Sequence, residues 1–282
     1  MIEILAPGPL ATVQDLGRPG HAALGVGRSG AADVGSHRLA NRLVGNADRA
    51  ATIEATFGGL WLRAGTDLLV AVTGAPAPVF LGSVEYGGNA PLRLPAGTEL
   101  RLGTPKTGLR SYLAVRGGIG CEPVLGSRST DLLSGLGPPR LRPGDTVALG
   151  ADVETDPVVD VAPVAGQPAE PVLRIAPGPR LDWFNPDAWT TLLASAYTVS
   201  PDGNRIGVRL IGPALDRAVR HELPSEPIVP GAIQVPAGGQ PLVFLADHPV
   251  TGGYPVIGVV LRADLGAAAQ LRPGQHVRFR PG

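Results

Sequence analysis

Cysteine, lysine and methionine each occur once in this chain, as Cys121, Lys106 and Met1. One cysteine excludes an internal disulfide framework and suits a reducing compartment. It precedes Glu122-Pro123 with no base in sight, so an ordinary turn or core cysteine is favoured over a nucleophilic thiol. The lone lysine lies in Thr-Pro-Lys-Thr, so no G-x-x-x-x-G-K-[ST] nucleotide loop exists. Five histidines (His21, His37, His221, His248 and His276) stand apart, with no H-E-x-x-H and no cysteine pair, which argues against a structural metal. Twenty-four basic and 24 acidic residues cancel, and no basic run marks a nucleic-acid surface. The opening MIEILAPGPL lacks the charged region and long apolar core of a signal peptide, and no apolar run approaches the roughly 20 residues of a membrane span. A soluble, cytoplasmic protein without nucleic-acid or membrane partners is expected.

Glycine and proline, in contrast, are abundant, at 40 and 30 residues. They are spread between apolar runs and are neither collagen-like nor low-complexity, a pattern that many short strands joined by tight turns would produce. Strands are expected at 2–5, 51–57, 60–63, 68–73, 79–81, 90–94, 99–102 and 110–115, each closed by glycine or proline. Residues 121–140 read as irregular, and 141–149 as a turn with a last strand. The acidic, proline-rich stretch 151–171 suits a linker, which divides the chain into domains at 1–150 and 172–282. Beyond it, strands are expected at 196–200, 207–211, 231–235, 241–246 and 256–261. Short helices are expected at 186–193, capped by Asn185, and near 264–269.

The second half echoes the first. Arg174-Ile-Ala-Pro-Gly-Pro179 repeats Ile4-Leu-Ala-Pro-Gly-Pro9, and Leu271-Arg-Pro-Gly-Gln-His-Val277 repeats Leu141-Arg-Pro-Gly-Asp-Thr-Val147. Val235-Pro-Ala-Gly-Gly239 likewise repeats Leu94-Pro-Ala-Gly-Thr98. Three echoes in one order predict two related β-rich halves in a pseudo-twofold molecule, with a cleft between them.

The stretch 12–46 concentrates Asp15, Arg18, Arg28, Ser29, Asp33 and Asn41 among seven glycines. Either a ligand-facing loop or a solvated connection has that composition. A helix follows: Asp33 or Ser36 can cap it, Leu39 with Leu43 and Ala40 with Val44 repeat at i,i+4, and Gly45 ends it. Asp33, His37 and Asn41 share one face, either turned back to the loop or wet. Gly25-Val-Gly-Arg-Ser-Gly30 spells a dinucleotide fingerprint, but no buried strand runs into it, which excludes a Rossmann site. Ser29 misses the G-x-S-x-G elbow by one position.

Further polar groups stand in glycine-rich settings. Arg116 precedes Gly117-Gly118 and could clamp an anion bidentately. Arg128 lies in Gly126-Ser-Arg-Ser-Thr130, Asn204-Arg205 precede a strand, and Glu226 sits on a turn. Thr251-Gly252-Gly253-Tyr254-Pro255 could bring amides close to an anion or oxyanion. Each reads more readily as a tight turn bearing a surface side chain. These residues describe a β-rich protein with a possible anion-binding cleft, and their chemistry stops there.

The chain resembles the family variously called allophanate hydrolase subunit 2, KipI antagonist (KipA), biotin-dependent carboxyltransferase or the C subunit of 5-oxoprolinase (PxpC). The matching stretches are TVQDLGR (12–18), SGAAD (29–33, commonly SGPMD), RLANRLVGN (38–46), YLAVRGG (112–118) and LGSRST (125–130). SEPIVPGAIQVPAGGQPLVFLA (225–246) and TGGYP (251–255) complete them, in the family's order over nearly the whole chain.

The resemblance implies a mainly β fold of two cyclophilin-like β-barrel domains with a few short helices. It implies a smaller partner of the KipI, PxpB or allophanate hydrolase subunit 1 type, in an assembly that can be a heterotetramer, and a third component of the LamB/YcsF type. The implied activity is ATP-dependent opening of 5-oxo-L-proline to L-glutamate by the complex, with this chain inactive alone and ATP not locatable in it. The alternatives are carboxyl transfer from carboxybiotin to urea, or a KipA-like regulator that sequesters a kinase inhibitor. No A/V-M-K-M sequence is present, so biotin would arrive on a separate carrier. By motif position, Asp33 and Glu226 are expected as acid–base or orienting groups. Asp15, Arg18, Ser29, Asn41, Arg116, Arg128, Thr251, Gly252, Gly253 and Tyr254 are expected to contact substrate, with Arg18 and Arg116 as anion clamps. One departure stands out: where relatives read D-x-Q-T-T-G-G-Y-P, Pro249 and Val250 replace the glutamine and the first threonine. Two hydrogen-bonding side chains and one amide N–H are lost.

Overall fold

Turns built on glycine and proline cut the chain into 21 strands, none longer than seven residues, with three short α-helices between them. All 282 residues are described by a computed structural model, and they divide into two units. The first takes Met1–Arg18, Ser29–Asp131 and Gly135–Gly166; the second takes Pro19–Arg28, Leu132–Ser134 and Gln167–Gly282. The architecture is mainly β, and no helix is long and apolar enough to cross a membrane.

The first unit opens with β1 (Ile2–Pro7), β2 (Leu10–Gln14), α1 (Val34–Leu43), β3 (Thr52–Thr56) and β4 (Leu60–Ala64). Then come β5 (Leu68–Gly74), β6 (Val79–Leu81), β7 (Val84–Tyr86) and β8 (Pro91–Leu94). It ends with β9 (Glu99–Leu102), β10 (Arg110–Val115), β11 (Ile119–Gly120) and β12 (Thr146–Leu149). These strands form a seven-stranded sheet, β11-β12-β1-β4-β9-β6-β7, and a five-stranded sheet, β2-β3-β10-β5-β8. The apolar alternation of each strand fills the core they share, with Ile2, Ile4 and Leu62 from one sheet and Val13, Ile53, Val70 and Leu113 from the other. The opposite face of the five-stranded sheet presents Ala71, Tyr112 and Ala114 to Ala40 and Leu43 of α1 and to Val44 at its C-cap. Two alanines on that face let the helix approach closely.

The second unit holds β13 (Val172–Pro177), α2 (Ala188–Ala194), β14 (Ala196–Val199), β15 (Gly207–Ile211) and β16 (Glu226–Pro227). It continues with β17 (Ala232–Gln234), β18 (Leu242–Phe244), β19 (Thr251–Gly252), β20 (Val256–Val260), α3 (Leu265–Ala269) and β21 (His276–Pro281). Seven strands close into a barrel, β13-β20-β17-β18-β15-β14-β21, and β16 with β19 makes a separate two-stranded ribbon. The β13–β21 pair is parallel; the other pairs are antiparallel.

The repeated turns take similar local forms. Gly144 and Gly274 both have positive φ, and Arg142 N and Arg272 N donate to the side chains of Asp145 and Gln275, at 2.7 and 3.1 Å. The strands that follow pair differently, however: β12 runs antiparallel to β1, whereas β21 runs parallel to β13. The expected helix at 186–193 begins later, with Asp187 at its N-cap in place of Asn185. Asn185 N instead donates to Asp216 O at 3.0 Å, which draws that residue into a bridge region with Phe184 and Arg217.

The acidic stretch after residue 150 is tied down. Glu154 N and Thr155 N donate to Gly45 O (2.9 and 3.1 Å), and Ala162 N donates to Asn89 O (2.8 Å). Farther on, Gln275 Nε2 donates to Pro168 O and Ala169 O, and Arg278 pairs with Glu170.

Candidate functional site

In the first unit a buried carboxylate organises the motif-bearing loops. Asp15 leaves the end of β2, and its Oδ1 accepts from Gly17 N (2.8 Å), Ser127 Oγ (2.6 Å) and Ser129 Oγ (2.5 Å). Its Oδ2 accepts from Arg128 N at 2.6 Å. Four donors around one buried carboxylate compensate its loss of hydration, which makes Asp15 the node that folds residues 127–129. Arg18 lies beside it, fully buried. Its guanidinium donates to Ser129 O and Val124 O, while Nη1 makes no hydrogen bond and stands 4.0 Å from Asp131 Oδ2.

Residues 29–33 pack onto this node. Ser29 is buried with φ 53°, a conformation costly for a residue with a side chain, and its hydroxyl donates to Thr130 O at 3.2 Å. At Gly30, φ is 98° and an added Cβ would lie 2.8 Å from Gly17 N, so the two loops can meet only at glycine. Ala31 N donates to Asp15 O (2.9 Å), Ala32 N to Glu54 Oε2 (3.0 Å) and Asp33 N to the Tyr112 hydroxyl (2.8 Å). Tyr112 in turn donates to Glu54 Oε2 at 2.8 Å, and burial pushes its hydroxyl well above the usual range, so it remains a donor. The Asp33 carboxylate caps α1, accepting from Ser36 N (3.1 Å) and Ser36 Oγ (2.6 Å).

The stripe below Asp33 is buried, neither wet nor facing the loop. His37 Nε2 lies 3.1 Å from Asp48 O and Nδ1 lies 3.0 Å from Thr52 Oγ1. A carbonyl only accepts, so Nε2 carries the proton and Nδ1 accepts from the threonine. Asn41 donates to Ala50 O (2.8 Å) and accepts from Asn46, which also joins Val115 O and Gly117 N. Desolvation lowers the His37 pKa to about 4 from 6.5, so the folded state holds the ring neutral. Its contribution to stability is complete above pH 6.5 and is lost as pH falls through about 4, a swing of roughly 3 kcal/mol. We expect urea midpoints measured from pH 7 to pH 4 to fall steeply, and His37→Gln to flatten the fall. An unchanged slope in the variant would assign the acid sensitivity elsewhere.

Arg116, expected with Arg18 as a clamp, and Arg128, expected to contact substrate, are engaged with the chain itself, as Arg18 is. Arg116 donates to Val44 O, Thr155 O and Asp156 Oδ1 at 2.8–2.9 Å, joining the end of α1 to the acidic stretch. Arg128 Nε donates to Cys121 O at 2.8 Å, and Nη1 reaches Asp152 at 3.4 Å. Cys121 is half-buried, and burial pushes its thiol up, away from the thiolate a nucleophile needs.

In the second unit, β16 and β19 join residues far apart in sequence: Glu226 pairs with Gly252 and Pro227 with Thr251. The Glu226 carboxylate is clasped by Arg180, whose Nε lies 2.9 and 3.0 Å from its two oxygens. The Arg180 hydrogen bonds hold its carboxyl below the usual range. Gly252 is closely packed: a Cβ there would sit 2.4 Å from Ile228 Cδ1 and 2.8 Å from Gln234 Nε2, so those two side-chain ends would have to move. Tyr254 O accepts from Gln234 Nε2 at 2.8 Å, and the Arg217 guanidinium lies 5.6 Å from the half-exposed Tyr254 ring. Val250 O accepts from Ile228 N (2.9 Å), so backbone bonding holds the altered Pro249-Val250 segment despite its missing side-chain donors. Beneath lies a fully buried pair, with Arg205 Nε 2.9 Å and Nη2 3.0 Å from the two Asp247 oxygens.

The structure thus gathers Asp15, Arg18, Ser29, Asp33 and Arg128 in the first unit, and Glu226, Thr251, Gly252, Gly253 and Tyr254 in the second. Asn41 and Arg116 stand apart as supports of α1. Sequence reasoning noted the hydroxyls of Ser127 and Ser129 without their partner Asp15, and missed Glu54 with Tyr112, and Arg180. A signal existed for the serines, in the hydroxyls flanking Arg128; none existed for Arg180, which lies 46 positions from its partner.

Residues 24–281 match the family described as carboxyltransferase domain, subdomain A and B, and the chain belongs to it. The C subunit of the Escherichia coli (strain K12) 5-oxoprolinase is 38% identical over 99% of this chain and 90% of its own length. The urea amidolyase of Lachancea kluyveri is 33% identical, over 99% of this chain and 17% of its own. Among solved structures, TTHA0988 superposes with a TM-score of 0.89 at 37% identity, over 99% of this chain and 55% of that one. The K. lactis urea amidolyase reaches 0.91 at 31% identity, over 99% of this chain and 18% of that one.

Proposed function

We propose that this chain is the C subunit of an ATP-dependent 5-oxoprolinase, inactive alone and hydrolysing 5-oxo-L-proline to L-glutamate with its partners. The observation that carries the reading is the 38% identity to a 5-oxoprolinase C subunit across 99% of this chain, against 33% to a urea amidolyase. The reaction adds water to the lactam carbonyl, breaks the C–N bond and leaves a new carboxylate and a protonated amine. It therefore calls for an ionised carboxylate to handle protons and amides to hold the developing oxyanion. Glu226, kept ionised by Arg180, takes the first role in this reading, and residues 251–254 take the second. By motif position, Asp15, Arg18, Ser29 and Asp33 are taken in this reading to contact substrate. ATP is used by the complex. The partners are a smaller protein of the KipI type and one of the LamB/YcsF type. In the same reading the two halves arose by duplication of one barrel, which the matched Leu-Arg-Pro-Gly turns support.

The test is glutamate release from 5-oxo-L-proline by the co-expressed proteins, with and without ATP and with and without this chain. ATP-dependent release that requires the chain is expected. Within that complex, Glu226→Gln should lower turnover by about 100-fold or more while assembly is unchanged. Full activity in the variant would remove Glu226 from proton transfer. The family description and the K. lactis superposition favour a second reading, carboxyl transfer to urea from biotin on a separate carrier. No glutamate release from an assembled complex, with biotin-dependent urea carboxylation instead, would select it.

A further inference from the structure

Three successive backbone amides, Ala31, Ala32 and Asp33, donate to three different places: the Asp15 carbonyl, the Glu54 carboxylate and the Tyr112 hydroxyl. Glu54 and Tyr112 stand directly opposite each other on β3 and β10, so both side chains leave the same face of the sheet. Both are fully buried, and the Arg110 guanidinium lies 3.6 Å from the second Glu54 oxygen. Taking a carboxylate out of water is costly, and a core that needed only packing would place an apolar residue there. This carboxylate is spent on one loop amide and on the tyrosine that holds the next. The two bonds fix the peptide planes on either side of Ala32, and with them the cap at Asp33 and the left-handed turn at Ser29.

We propose that Glu54 and Tyr112 are positioning residues, a buried carboxylate–hydroxyl pair that sets residues 29–33 for the reaction. The inference rests on the proposed function, in which residues of this loop contact substrate. Tyr112→Phe keeps the ring and its packing but removes the acceptor for Asp33 N and the donor to Glu54. Ser111→Ala is the matched control. It removes one buried hydrogen bond, the 2.9 Å bond from Ser111 Oγ to Ala75 O, from the adjacent position of the same strand and touches nothing in the loop.

The experiment measures kcat and KM of the assembled complex with each variant, beside amide hydrogen exchange of residues 31–33. Tyr112→Phe is expected to lower kcat by about tenfold or more, with KM little changed, and to speed exchange at residues 32 and 33. Ser111→Ala is expected to leave both as in the wild type despite a similar loss of stability. Equal kcat in the two variants would overturn the proposal. If the wild-type complex itself releases no glutamate, the functional reading fails. Exchange then decides whether the pair holds the loop: faster exchange in Tyr112→Phe alone sustains it, and equal exchange overturns it.

Discussion

Asp15→Ala is expected to destabilise the first unit by roughly 3–5 kcal/mol, a large part of the about 5–15 kcal/mol that a folded domain has to lose. The carboxylate accepts from two amides and two hydroxyls in a buried place, so its removal strands all four donors with no water to replace it. Asp15→Asn is the sharper variant. Its amide can present one oxygen, and its NH2 group must then face an N–H or O–H donor at the other position. It should recover only part of the loss. Urea unfolding with an unchanged slope and a lowered midpoint would measure the effect. A shift below about 0.5 kcal/mol in Asp15→Ala would mean that solvent reaches the donors and that the node is not one. Activity should fall with either variant, because the loop at 127–129 hangs on this carboxylate and Ser29 is bonded to the adjoining Thr130 carbonyl.

The second large effect is expected at the Arg205–Asp247 pair. Asp247→Ala strips a fully buried guanidinium of its bidentate carboxylate, with an expected cost of about 3–5 kcal/mol. Replacing both partners by apolar residues of similar size, Arg205→Met with Asp247→Leu, should regain most of that loss, since no charge is left behind. Thermal unfolding of the single and double variants measures the coupling directly. A double variant as unstable as the single one would show that Asp247 acts mainly through contacts outside the pair, such as the Leu132 amide at 3.3 Å.

Much of the strand pattern could be read from the chain because glycine and proline bound it. The strands at 79–81, 99–102, 110–115 and 207–211 lie where the pattern puts them. Helix α1 could be read for a related reason: its cap, its i,i+4 apolar pairs and Gly45 all agree. Strand β2 could not, because Leu-Ala-Thr-Val-Gln runs without a break into Asp15-Leu-Gly and looks like the start of a loop. Strand β7 is exposed at every residue, so burial leaves no imprint on its sequence.

The site was legible in its motifs and opaque in its pairings. Glu54 falls where strand alternation would turn a polar residue to solvent, but α1 and its preceding loop cover that face and bury it. Likewise, nothing local connects Glu226 with Gly252, or Asp15 with Ser127. Those contacts come from strand pairing and loop closure over long separations.

The closure of the barrel also has a consequence in time. Strand β21 lies between β13 and β14, pairing parallel with one and antiparallel with the other, and Val172 finds its partner at Arg278. During synthesis, β13 and β14 therefore emerge with their adjoining edges bare, and both remain so until residues 276–281 leave the ribosome. Pairings of such separation form slowly, and unpaired edges invite association with other chains. A cell making this protein therefore holds the second unit open until its last strand arrives, and the bare edges of β13 and β14 are where association with other chains is expected.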